Sequence, residues 1–331
     1  MRLDCFIAHR LRRVSRALAQ QIIAKGGVAL RPPRSAKAAR KVYQGDVVII
    51  TQHLPTENLS YDQVQHLYIG PRLIALNKPA GMLVHPTATA HLNCITTYVA
   101  QQGWHDAAIV HRLDRESSGV LILARGTHNA RFLGRLFASE GTVKIYLAIV
   151  NDPQSLLCPA RAFSILWPIG PCPHAKLKSI TMGPGAWPAS THCLCLARHQ
   201  NRALLALRIE HGRQHQIRVH LALSGFPVLG DKLYLHGEDF YRDWVDGKQD
   251  HQALSAPRHM LHAFQLRLFD GDQQHHFCAP IPEDFRHAWS SEDHTAPIEH
   301  HLAGLEHHPL VKDTIPPRQD DCLMAPFVGL T

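Results

Sequence analysis

The stretch from His111 to Ala124 restricts what this chain can fold into more than any other. It begins with the mostly polar His111-Arg112-Leu113-Asp114-Arg115-Glu116-Ser117-Ser118-Gly119 and passes directly into Val120-Leu121-Ile122-Leu123-Ala124. An unbroken apolar run of this composition reads as a strand buried on both faces, entered through the polar loop before it. Asp114 then sits at the lip of a core. A carboxylate held there with Arg112 and Arg115 nearby can stay ionised as a nucleophile or base, and catalytic residues favour loops set on rigid scaffolds. An aspartate that caps a turn or pairs with an arginine would look the same, and on this pattern alone it is the commoner case.

At 331 residues the sequence is too long for one small module and suits a catalytic domain with an addition. Hydrophobic residues make up 45% and charged ones 19%, and no apolar run approaches the ~20 residues of a membrane span, so a soluble globular protein is expected. Arg10, Arg12 and Arg13 interrupt the segment where the apolar part of a signal peptide would lie, which predicts a cytoplasmic location. The eight cysteines show no paired CxxC spacing and read as reduced thiols rather than a disulfide framework.

Positive charge is concentrated at the amino terminus. Residues 1–50 hold eleven Lys and Arg against Asp4 and Asp46, a balance of +9, while the whole chain is +8, so the remainder is −1. A segment this basic attracts polyanions by counterion release, and nucleic acid is the commonest such partner; a solvated basic face is the plainer alternative. Ser15 stands where an N-cap should, Leu18, Ala19, Ile22 and Ile23 follow at helical spacing, and Gly26-Gly27 ends the helix. Val28 to Leu30 and Val47 to Ile50 read as short strands, the second entered through Gly45-Asp46. This order, with the opening Arg2-Leu3-Asp4 and the Ser15-Arg16 pair, resembles the small α/β RNA-binding domain named after ribosomal protein S-four. Arg31-Pro32-Pro33-Arg34 stands where that family usually has an Asn-Gly turn. The resemblance implies a domain over residues 1–53, with Arg12, Arg13, Arg16 and Lys25 as candidate RNA contacts.

Residues 54–289 are expected to form the catalytic domain, with a strand at Leu73 to Leu76 and a turn at Asn77-Lys78-Pro79-Ala80-Gly81. Alternation from Val143 to Val150 sends Val143, Ile145, Leu147 and Ile149 to one face and Lys144, Tyr146 and Ala148 to the other. Tyr146 can thus face a pocket, where its ring suits stacking on a base and its hydroxyl suits proton transfer, although an aromatic on a strand is usually packing. An apolar strand, Leu204 to Ile209, precedes Gly212-Arg213-Gln214-His215-Gln216-Ile217-Arg218-Val219-His220-Leu221, a turn into a short helix that ends near Gly225.

With the Asp114 loop, these segments resemble the RluA-type pseudouridine synthases. HRLDRESSG is similar to that family's HRLDxxTSG, with Ser117 for threonine, and Lys144-Ile145-Tyr146-Leu147-Ala148 to its KxYxA. Residues 212–221 with Gly225, Pro227 and Gly230-Asp231 resemble GRTHQIRVHL…GxPxxGD, with Gln214 for threonine, and Pro257-Arg258-His259-Met260-Leu261-His262-Ala263 resembles PRxxLHA. The resemblance runs from about Leu73 to Pro282 and implies an α+β domain with a mixed, mainly antiparallel sheet, the pseudouridine synthase fold. It also implies that Asp114 is the catalytic carboxylate, that Arg218 holds it charged and oriented, that Tyr146 assists the reaction and that Leu261 lines the uracil pocket. His111, Arg112, Lys144 and Arg213 are further candidate substrate contacts.

The reaction so implied detaches uracil from its ribose and reattaches it through carbon without metal, nucleotide or redox cofactor, by attack of Asp114 on C1′ or through a glycal. Because the uracil must rotate, its nucleotide has to leave the stack and enter a pocket. The expected partner is RNA, with large-subunit ribosomal RNA the usual target where an S-four-type domain is present, and the protein is expected to act as a monomer away from membranes. Competing readings are the same chemistry on transfer RNA and a catalytically silent RNA-binding ribosome-assembly factor; Asp114, Tyr146 and Arg218 argue against the latter. The 26 histidines raise the question of metal, but His236-Gly237-Glu238 lacks the PCxxC half of a zinc deaminase, and the pairs His275-His276, His300-His301 and His307-His308 lack closed-site spacing. Residues 290–331, rich in His, Pro and acidic residues without periodicity, are expected to form a partly disordered tail.

Overall fold

The structure, a computed structural model, describes residues 1–11, 15–51, 59–87, 90, 92–139, 141–172, 180–181, 186–249, 254–271, 273–290 and 296–312. The chain divides into two compact units, one of Met1–Leu59 with His85–Thr97, the other of Ser60–Val84 with Tyr98–Thr331.

In the first unit, helices α1 (Leu3–Arg10) and α2 (Arg16–Ala24) precede strands β1 (Val28–Arg31) and β2 (Val47–Ile50), which pair antiparallel with Val28 opposite Ile50. Helix α2 starts where the cap residue dictates, Ser15 Oγ accepting the Leu18 amide at 3.2 Å. Leu3, Ile7, Ala19, Ile23, Val28, Leu30 and Val42 form the core. Helix α1 was not foreseen, because its inward face carries Asp4, a fully buried carboxylate. Arg2, Arg16 and Gln20 donate to it at 2.8–3.0 Å, and Arg2 above all holds its carboxyl well below the usual carboxylate range against the opposing effect of burial.

In the second unit the strands in chain order begin with β3 (Gln65–Ile69) and β4 (Leu73–Lys78); after α3 (Ile95–Gln101), whose first three residues are counted with the first unit, come β5 (Ala107–Ile109), β6 (Ser118–Arg125), helix α4 (Gly126–Ala138) and β7 (Val143–Asn151). There follow β8 (Ala162–Ile165), the two-residue pair β9 (Gly170–Pro171) and β10 (Ile180–Thr181), then β11 (Thr191–His199) and β12 (Arg202–Ile209). Helices α5 (Gln216–Leu223) and α6 (Glu238–Val245), strands β13 (Leu261–Phe269) and β14 (Gln274–Cys278), and helices α7 (Glu283–Trp289) and α8 (Ile298–His301) complete it. Among the described residues, ten strands join one sheet in the order β3-β4-β6-β13-β7-β12-β11-β8, with β5 on β6 and β14 on β13. Every pairing is antiparallel except β6 with β13, where Ser118 lies opposite His262 and Gly119 opposite Ala263. This is the mixed, mainly antiparallel α+β architecture expected.

The parallel junction positions the site. It sets the start of β6, with the Asp114 loop before it, beside the start of β13, with Leu261. Gly119 permits the approach: its φ is +115°, and a Cβ there would lie 2.1 Å from the carbonyl oxygen of Ala263. Apolar layers hold both halves of the sheet. Val120, Ile122 and Ala124 pack with Leu73, Ala75 and Leu133. Val143, Ile145, Leu147 and Ile149 share another cluster with Phe285, Trp289, Ile298, Leu305, Leu310 and Val311. Residues 296–312, placed by the sequence in a partly disordered tail, therefore contribute buried side chains to the core. Ile298, Leu305, Leu310 and Val311 are spread over a helix of four residues, a single 3-10 turn and the turn after it, with histidines and glycine between them, so no sustained periodicity announces them.

Candidate active site

The loop from His111 to Ser117 is held at several points. At its root the His111 Nε2 accepts the Ile122 amide at 3.0 Å and its ring stacks on Phe137 with centroids 4.0 Å apart. Burial, then the nearby Lys144, draws the His111 pKa down to about 3, so the ring is neutral and able to accept. On one flank the Gly81 amide donates to the Arg115 carbonyl at 2.8 Å and Arg115 Nε returns a bond to Gly81 O at 3.1 Å. The turn read as Asn77 to Gly81 thus grips the loop. Lys78 Nζ, fully buried, donates to the carbonyls of Pro79, Met82 and Arg115 at 2.8, 2.8 and 3.2 Å, matching the three N–H bonds of an ammonium. Burial, then repulsion from Arg258, draws its pKa down to about 7. On the other flank Ser117 Oγ meets His259 Nε2 at 2.9 Å, Ser118 Oγ meets His262 Nδ1 at 2.9 Å, and Lys232 Nζ donates to Glu116 Oε1 at 2.7 Å.

Between these clamps Asp114 presents a carboxylate whose side chain is 25% exposed. Arg218 Nη1 donates to its Oδ2 at 2.9 Å, and His215 Nε2 lies 3.8 Å from its Oδ1. Burial pushes the Asp114 pKa up, but the charges of Arg218 and His215 and the Arg218 hydrogen bond outweigh it, so the group is ionised below the usual carboxylate range. Arg218 projects from α5, seven of whose eight residues are buried, so its guanidinium is held in the interior. Its other edge makes a bidentate pair with Asp231, Nε to Oδ2 at 2.6 Å and Nη2 to Oδ1 at 2.9 Å. Asp231, 0% exposed, also accepts the amides of Leu233 and Tyr234 at 3.0 and 2.9 Å. The Tyr234 ring centroid lies 5.1 Å from Arg218 Cζ, and its hydroxyl meets His215 Nδ1 at 2.9 Å. His215 precedes α5 at φ +56°, a left-handed conformation uncommon outside glycine.

Strands β7 and β13 supply an apolar wall. Tyr146 is opposite Ala263 and Leu261 opposite Ala148, so Tyr146 and Leu261 share a face as diagonal neighbours, roughly 7–8 Å apart along the backbone. Tyr146 is 9% exposed; burial, reinforced by the Asp114 charge, raises its phenol pKa and keeps it protonated. A fixed, ionised carboxylate beside a protonated phenol and an aliphatic surface can attack or deprotonate an apolar-faced substrate and manage a proton.

A family model described as RNA pseudouridylate synthase matches residues 72–223. An uncharacterized RNA pseudouridine synthase from Chloroflexus aurantiacus is 33% identical over 86% of this chain and 88% of its own length. The chain belongs to the RNA pseudouridine synthase family. A protein named ribosomal large subunit pseudouridine synthase D from Neisseria meningitidis is 30% identical over 87% of this chain and 78% of its own length. Among solved structures, human RNA pseudouridylate synthase domain containing 4 aligns with a TM-score of 0.52 and 27% identity, covering 67% of this chain and 90% of that one.

In this pseudouridine synthase Arg218 bonds Asp114, Tyr146 lies within reach of the Asp114 charge and Leu261 shares the Tyr146 face of the sheet, whereas other candidates lie elsewhere. Arg112 and Arg213 are exposed, and Arg213 Nε donates to Pro188 O at 3.2 Å. His111 and Lys144 are instead turned to the protein itself. Lys144 Nζ donates to Phe137 O at the end of α4 at 3.0 Å and to Glu210 O at 3.1 Å, and burial, then Arg208, draws its pKa down to about 8. Strand β7 is buried on both faces, so the face opposite Ile145 is no open pocket at Lys144. Of the candidates in the first unit, Arg16 gives its Nε to Asp4, Lys25 is exposed at the end of α2, and Arg12 and Arg13 lie outside the described residues. Sequence reasoning had assigned no part to Asp231, His215 or Tyr234, although Gly230-Asp231 stood in a recognised motif. Among the described residues no three His, Cys, Asp or Glu side chains converge as a metal-binding group, and no helix is long and apolar enough to cross a membrane.

Proposed function

We propose that this synthase converts specific uridines of large-subunit ribosomal RNA to pseudouridine, with Asp114 as the catalytic carboxylate, Arg218 as its fixed counter-charge, Tyr146 as the phenol against the flipped base and Leu261 as part of the base pocket. The observation that carries this reading is the ionised Asp114 carboxylate held at 2.9 Å by a buried arginine beside Tyr146 and Leu261. The ribosomal target rests on the name of the Neisseria relative, ribosomal large subunit pseudouridine synthase D. Exposed Arg112 and Arg213 are suited to RNA phosphates. The basic first unit, with its helix-strand order and +9 balance over residues 1–50, fits an S-four-type RNA-binding domain that adds affinity and salt sensitivity. We take the protein to be a cytoplasmic monomer. Carbodiimide mapping of RNA from a strain lacking the gene tests the reading: at least one pseudouridine should vanish from large-subunit ribosomal RNA. A full set of ribosomal pseudouridines would overturn the target, and a full set in every RNA would overturn the activity.

A further inference from the structure

The turn Gly230–Tyr234 touches the Asp114 site three times. Asp231 grips Arg218 with both oxygens, Lys232 holds Glu116 two residues beyond Asp114, and Tyr234 covers the Arg218 guanidinium while its hydroxyl meets His215. The turn itself is fixed. Gly230 adopts φ +75° with its would-be Cβ 2.1 Å from Arg258 O, and Asp231, Lys232 and Leu233 are all buried. Asp231 is therefore the better-anchored of the two carboxylates that share Arg218: it makes two bonds to the guanidinium at 2.6 and 2.9 Å against one from Asp114 at 2.9 Å, and it is 0% exposed against 25%.

We propose that Asp231 is a positioning residue that keeps Arg218 charge-compensated and in place through the step in which Asp114 gives up its own charge. This rests on the proposed role of Asp114. If the carboxylate oxygen bonds to C1′, the C1′–N1 electrons leave on uracil and an ester remains; if it removes the 2′ proton, a glycal, a uracil anion and a carboxylic acid result. In both routes the negative charge moves from Asp114 to the uracil. Without a second carboxylate, Arg218 would then be a buried cation with its partner neutralised, a costly state that would oppose the step or let the guanidinium swing out of register. With Asp231 in place the Arg218 pair stays neutral whatever Asp114 does. The guanidinium is also ready to receive Asp114 again when the carboxylate is regenerated.

The test is Asp231→Asn. Its carbonyl can still accept the Leu233 and Tyr234 amides, but its amide group faces Arg218 with a donor in place of an acceptor. Full-length enzyme in excess over RNA is followed in single turnover, beside RNA affinity and the denaturation midpoint. The expected result is a rate constant lower by on the order of 10²-fold with RNA affinity unchanged, because a misplaced counter-charge affects the chemical step alone. A rate constant equal to wild type, or a loss confined to the folded fraction or to RNA affinity, overturns the proposal. Should the asparagine variant not fold, Asp231→Ser supplies a small uncharged acceptor and the same readout. Wild type and Asp114→Asn run alongside: an inactive wild type would defeat the activity itself, whereas an active wild type, an inactive Asp114→Asn and an unimpaired Asp231→Asn would defeat this inference only.

Discussion

Replacing Arg218 by methionine removes three charge-assisted hydrogen bonds, at 2.6, 2.9 and 2.9 Å, from a side chain only 7% exposed. Methionine fills much of the volume, so the loss is electrostatic: Asp231 is left wholly buried with only two backbone amides for partners. Breaking a buried ion pair from one side costs about 3–5 kcal/mol. For a domain of this size that is roughly 6–20 °C in midpoint, at about 2–4 °C per kcal/mol. Adding Asp231→Asn removes the stranded charge, so the double variant should recover at least about 1 kcal/mol of the deficit. The pH dependence has a definite sign. In wild type the Asp114 and Asp231 pKa values are depressed in the folded state, so their contribution is present above the ordinary carboxylate pKa and lost as pH falls through the folded values. In Arg218→Met burial dominates and the folded pKa values rise, so the gap to wild type should narrow as pH falls towards 4. Urea denaturation at several pH values measures all of this. A cost for Arg218→Met below about 1 kcal/mol, or a double variant less stable than the single, would refute the shared-arginine arrangement.

Two further substitutions probe the frame of the site. Gly119→Ala places a Cβ 2.1 Å from Ala263 O at φ +115°, so it should cost more than about 2 kcal/mol and impair turnover by parting β6 from β13; wild-type stability in a urea titration would show the junction to be looser than described. Lys144→Met leaves the Phe137 and Glu210 carbonyls without their donor and should destabilise by about 1–3 kcal/mol. Its KM for RNA should stay within about twofold of wild type, and a rise of about tenfold would return Lys144 to the substrate contacts.

How much of this could be read from residues alone follows from the kind of signal each element carries. Strands β6 and β12 announce themselves as apolar runs, β7 by its alternation, and α2 by its Ser15 cap and closing glycines. Helix α1 does not, because its buried face holds an ion cluster around Asp4 that hydropathy counts as surface. Strand β13 was visible as the motif around Leu261 but not as a strand, since His262 and Gln265 on it are buried polar residues. Its parallel partnership with β6 joins positions 144 residues apart, which local pattern does not encode. The alternation along β7 predicted the grouping of Val143, Ile145, Leu147 and Ile149, yet could not tell that Lys144 would reach backbone carbonyls rather than a substrate. Asp114, Tyr146, Arg218 and Leu261 stand out as candidates through motif resemblance. The motif that holds Gly230-Asp231 does not show what Asp231 bonds, because its function in the fold depends on a guanidinium 13 residues earlier on another element.

On the proposed mechanism, an ionised Asp114 performs the isomerisation. Its most direct test maps pseudouridines in large-subunit ribosomal RNA from a strain lacking the gene, complemented with either wild type or Asp114→Asn. The wild-type gene should restore the missing pseudouridine. Asp114→Asn, expressed and folded to the same level and binding RNA as tightly, should restore none of it; restoration by that variant would show that the Asp114 carboxylate is not the group that performs the reaction.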